Sequence, residues 1–132
     1  MQLSNFLRAV LKLDAASCLA LAAIAIPGAA TLSGPLGIEP AILRGAAISL
    51  VPIGLFILWL GTRRQAPPAA AFLVILGNIG WAAASLATAA DLPGITTLGS
   101  LMVAGQGLFV LGLAALEWRG VRQSLSASAA VV

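Results

Sequence analysis

The chain has 132 residues, of which 61% are hydrophobic and 8% charged, with a mean hydropathy of +1.07. A water-facing globule carries about 25% charged residues, so seven Lys and Arg with four Asp and Glu exclude a soluble domain of this size. His and Tyr are absent and there is one Cys. That excludes haem or zinc ligation by His, a His general base, a Tyr proton donor and an intramolecular disulfide.

The first dozen residues place Leu3, Phe6, Leu7, Val10 and Leu11 at helical spacing, with Ser4, Asn5, Arg8 and Lys12 on the other side. This predicts a short N-terminal amphipathic segment, lying along a leaflet or extending the first span. Arg8 and Lys12 before an apolar run ending Ile26-Pro27-Gly28-Ala29-Ala30 have the outline of a cleavable secretory signal. Asp14 interrupts that run, and the segment is read as a span.

Four apolar runs follow, at about 13–31, 41–61, 69–90 and 95–116. Each has the roughly 20 residues a helix needs to cross a hydrocarbon layer about 30 Å thick. They are continuously apolar rather than alternating, which favours helices over barrel strands. Ser33-Gly34-Pro35-Leu36-Gly37, Thr62 to Pro68 and Asp91-Leu92-Pro93-Gly94 carry turn chemistry between them. Short links make neighbours antiparallel, so the expected fold is all-α: a single four-helix transmembrane bundle, up-down-up-down. Pro52, with Gly54 beside it, is expected to bend the second span, and residues 123–132 to fray.

Arg8, Lys12, Arg63, Arg64, Arg119 and Arg122 fall on one side of this layout, and Arg44 falls on the other with Glu39 and Asp91. Short basic loops stay inside, so both termini are expected in the cytoplasm and the protein in the inner (plasma) membrane. Trp59 and Trp118 fall near the same boundary, where indole rings favour the interface. The basic belt faces lipid headgroups. It is not the footprint of a nucleic-acid binder, which needs a broader basic surface.

The candidate functional residues are the polar ones within or beside the spans: Asp14, Arg44, Asn78, Trp81, Gln106 and Glu117. Asp14 and Glu117 stand at the cytoplasmic ends of spans one and four. They are expected to answer a helix dipole and nearby Arg respectively, rather than to form an ion site. Asn78 and Gln106 fall near mid-depth and are expected to face inward, bonded to each other or to a common partner. Trp81 could cap the Asn78 amide or plug a gap between helices. Gly77, Gly80, Gly105, Gly107 and Gly112 are expected to let helices approach closely. Arg44 is expected to pair or snorkel at the outer surface, and Cys18 to behave as a small hydrophobe.

The segments Leu11 to Cys18, Leu43-Arg44-Gly45, Asn78-Ile79-Gly80-Trp81 and Gly105-Gln106 through Leu116-Glu117 resemble a group of small bacterial four-span integral membrane proteins of uncharacterised function. The resemblance implies the four-span fold and brings no reaction or substrate with it. Small multidrug transporters also carry an acid in the first of four spans, but theirs lies deep and faces a Tyr-containing pocket. No nucleophile–base pair or metal-ligand set is legible, so neither enzymatic activity nor a cofactor is expected. The expected function is an accessory or scaffolding subunit, its partners the bilayer and other membrane subunits or its own copies. The alternative is a small carrier or an ion- or proton-conducting oligomer using Asp14, Asn78, Gln106 and Glu117.

Overall fold

The computed structural model describes residues 1–131, and its elements are four helices: α1 (Asn5–Leu36), α2 (Pro40–Thr62), α3 (Pro68–Asp91) and α4 (Thr97–Ala129). All four are long and apolar enough to cross a membrane, which suggests a small multi-pass membrane protein. Their outward faces are apolar: Leu55, Leu73, Leu76, Leu101 and Leu108 are all more than half exposed.

Helix ends follow local chemistry. The Ser4 hydroxyl accepts from the Leu7 N–H at 3.1 Å and starts α1, while Thr96 does the same for Gly99 at 3.0 Å and starts α4. Proline opens α2 and α3, where its missing N–H costs nothing. Gly37 closes α1 at φ 66°, its N–H reaching the Ser33 carbonyl at 2.9 Å. That left-handed conformation suits glycine.

Two expectations about length are corrected. The turn foreseen at Ser33–Gly37 is helical through Leu36, and α4 runs unbroken to Ala129 instead of fraying from Gln123. Packing explains the second. Gly120, Val121 and Ser124 are buried, and the Ser124 hydroxyl accepts the Ser4 N–H at 2.9 Å. Of the two readings of the first dozen residues the structure has the extension of the first span: Leu7 and Leu11 are fully buried within a continuous α1. Ahead of it, Met1–Leu3 is tied to the α2–α3 turn, with Leu3 N–H on the Arg64 carbonyl at 2.9 Å and Ala66 N–H on the Met1 carbonyl at 3.1 Å.

These contacts gather the start of α1, the α2–α3 turn and the end of α4 at one end of the molecule. At the other, the Thr96 N–H meets the Leu36 carbonyl at 3.1 Å. Helix α1 packs along α2, α3 along α4, and α1 along α4, whereas α2 and α3 hardly touch. Of the glycines expected at close seams Gly107 is at one, and Gly54 and Gly120, which are not among them, are at others. A Cβ at Gly120 would lie 2.8 Å from the Leu7 Cβ, one at Gly107 2.9 Å from the Ser85 Cβ, and one at Gly54 3.0 Å from Leu19. Gly77, Gly80, Gly105 and Gly112 face open space instead.

Candidate functional site

The buried stripe of α1 runs Leu7, Val10, Leu11, Asp14, Ala15, Cys18, Ala22, Ala25 and Ala29, the three-and-four spacing of a helix face. Asp14 is part of that stripe. On α3 the stripe is Ala71, Val74, Ile75, Asn78, Ala82 and Ser85, and on α4 it includes Val110, Leu113, Ala114, Glu117, Gly120 and Val121. Polar residues from three helices therefore belong to buried faces, among them Asp14, Asn78 and Glu117.

They meet. Asn78 Nδ2 donates to Asp14 Oδ2 at 2.8 Å and to Glu117 Oε2 at 3.0 Å. Asp14 is 0% exposed, Glu117 1% and Asn78 6%. Cys18 Sγ lies 3.7 Å from Asp14 Oδ1 as a weak donor. The remaining Glu117 oxygen, Oε1, is buried with no hydrogen-bond partner among the described residues.

Both acids are buried inside the bundle, although Lys12 and Arg119, each two residues from one of them in sequence, are exposed. Asp14 lies nine residues into α1 and Glu117 twelve before the end of α4, about 14 and 18 Å along the helices at a rise of 1.5 Å per residue. The cations expected to answer Glu117 are engaged elsewhere. Arg8 Nε donates to the Gly61 carbonyl at 3.4 Å, and the Arg119 guanidinium lies 5.9 Å from the Phe6 ring centre. Arg119 and Arg122 are exposed.

The mid-depth amides face inward but do not pair with each other. Gln106 instead builds a second network: its Oε1 accepts from Trp81 Nε1 at 3.1 Å, and its Nε2 donates to Ser85 Oγ at 2.6 Å and to the Val103 carbonyl at 3.2 Å. Trp81 thus engages Gln106 and not Asn78. Arg44 is exposed and reaches across to α1, Nε donating to the Ile26 carbonyl at 3.4 Å.

Between α2 and α3 the separation of the helices leaves a cleft of about 550 Å³. Its walls are apolar, with Leu50, Ile53 and Phe56 on one side and Leu73 and Val74 on the other. Cys18, Asn78, Trp81 and Gln106 also line it, so both polar networks border the space. Sequence reasoning singled out every member of these networks except Ser85 and treated Cys18 as apolar. Ser85 was detectable as the residue seven after Asn78, two turns along the same face.

Comparison with family models, with curated proteins and with solved structures matches nothing to this chain, and the site is read from its own geometry.

Proposed function

We propose that the chain is a multi-pass protein of the inner (plasma) membrane, threaded up-down-up-down with both termini cytoplasmic, and that it works as a small non-enzymatic proton-linked carrier. One observation carries this reading: two fully buried carboxylates share a single amide nitrogen beside an apolar cleft. Two ionised acids in that setting would repel each other and forgo hydration worth several kcal/mol each. Holding one proton between them relieves both costs, and intramembrane acids of this kind mark ion and proton pathways. A purely structural bundle gains nothing from them, since apolar residues of similar volume pack as well or better. The cleft volume falls within the roughly 300–1,000 Å³ of small-molecule pockets.

The seam left between α2 and α3 supports a second reading, an accessory or scaffolding subunit in a larger membrane complex or homo-oligomer. Purified full-length protein in lipid vesicles with an internal pH dye separates the two. The carrier reading expects proton flux down an imposed gradient, with candidate small-molecule counter-substrates supplied on the opposite side, that falls at least tenfold in Asp14→Asn and Glu117→Gln. Flux equal to that of empty vesicles, with stoichiometric co-purification of a larger complex in mild detergent, would favour the subunit.

A further inference from the structure

Asp14 and Glu117 do not themselves line the cleft, but two residues bonded to them do. Asn78 lines the cleft with one part of its surface and holds both carboxylates with its amide; Cys18 lines it too and lies 3.7 Å from Asp14 Oδ1. Glu117 contributes an unpartnered oxygen in a residue 1% exposed. The titratable groups at this point are Asp14 and Cys18 from α1 and Glu117 from α4, while α2 and α3 bring only uncharged side chains to the cleft. Arg8, Lys12, Arg119 and Arg122 belong to the same two helices, but Arg8 turns to Gly61 and the other three are exposed. An apolar space thus backs onto two buried acids to which no Lys or Arg among the described residues is bonded.

We infer that the cleft takes a lipophilic monocation, an organic ammonium or phosphonium with an apolar body, which enters between α2 and α3 and displaces the proton held by Asp14 and Glu117. The apolar body fits the walls of Leu50, Ile53, Phe56 and Leu73. The charge is drawn to the carboxylates, and Trp81 on the same wall offers a ring face to a cation. Charge balances: one monocation enters the site, one proton leaves to the solvent, and the acid pair passes from singly protonated to fully ionised. The inference rests on the proton-linked reading and names its counter-substrate.

The test uses the full chain in mild detergent with tetraphenylphosphonium as probe and triphenylphosphine oxide as its neutral counterpart. Calorimetry reads binding, and an indicator dye in weak buffer reads proton release. The expected result is saturable binding of the cation with about one proton released per cation bound, tighter by tenfold per pH unit across the range in which the pair is protonated. The neutral compound should release none. Glu117→Gln should weaken cation binding at least tenfold. Gly77→Leu should do so as well, because Gly77 lines the cleft with open space before it, and that variant leaves both acids in place if Glu117→Gln fails to fold. Cation binding without proton release, or binding unchanged in Gly77→Leu, overturns the inference. Infrared titration of the carboxyl band separates the two levels. A pair that exchanges its proton while no cation binds refutes the counter-substrate alone; a pair that never exchanges refutes the carrier reading with it.

Discussion

Asn78 holds the position on which the interior depends, because a single NH₂ group satisfies one oxygen of each acid. Removing it as Asn78→Ala leaves Glu117 without a side-chain donor and Asp14 with only the weak Cys18 S–H, and hydrogen bonds to charged groups are worth about 1.5–3 kcal/mol. Thermal denaturation in mild detergent should show a loss of that order. Asp14→Asn in the same background should recover part of it, since the new amide can donate to Glu117. A neutral Asn78→Ala would remove the bridge from the account. Gln106→Leu should cost less, about 0.6–2 kcal/mol, the range for polar contacts between membrane helices. It strands the Trp81 N–H and the Ser85 hydroxyl but no charge. Asp14 and Glu117 were legible as buried residues, each in phase with an apolar helix face. Reading spans as apolar runs hid this, because it puts Asp14 at the first turn of one run and Glu117 just past the end of another, as if both were terminal. That Asn78 would join them was not legible: the pairing needs α1 to lie against α4, and nothing local encodes contact between the first and last helices.

At the scale of the elements, four helices and their order followed from hydropathy and turn residues, but their seams did not. Small residues predict close approach only where a neighbour is present: both glycines of α3 face open space, while α4 carries glycines of both kinds, Gly107 and Gly120 at seams and Gly105 and Gly112 in the open. The contrast gives a paired prediction. Gly107→Val and Gly120→Val place a branched side chain against Ser85 and Leu7, where even the Cβ meets atoms at 2.9 and 2.8 Å. Overpacking of this kind costs about 1–3 kcal/mol, read as a lowered melting temperature in detergent. Gly105→Ala and Gly112→Ala face open space and remove a poor helix former, worth up to about 1 kcal/mol in a helix interior. They should be neutral or stabilising. Equal behaviour of the two pairs would mean that the seams lie elsewhere. The length of α4 belongs here as well: its last turns lack the hydropathy of a span and are held by Val121 and Ser124 against the start of α1.

The molecule as a whole is two helix pairs, α1 with α2 and α3 with α4, joined along α1 and α4 and parted along α2 and α3. The same arrangement that opens the cleft binds three distant parts of the chain into one end. Met1 and Leu3 pair with the backbone of Arg64 and Ala66, and Ser4 with Ser124. The N-terminus, the α2–α3 turn and the end of α4 must therefore lie on the same side of any membrane the helices cross. Arg8, Lys12, Arg63, Arg64, Arg119 and Arg122 all belong to that end, so the charge rule acts on the three parts together and not on each loop separately. A reporter active only in the cytoplasm should be active at the C-terminus and when inserted after Gln65, and a reporter active only outside should work when inserted after Pro93. Replacing Arg63 and Arg64 by Ser should leave this unchanged, because four basic residues still hold the same end. Opposite sidedness of the C-terminus and the Gln65 insertion would contradict the backbone ties. Inversion of all three sites would keep the ties and refute the cytoplasmic assignment.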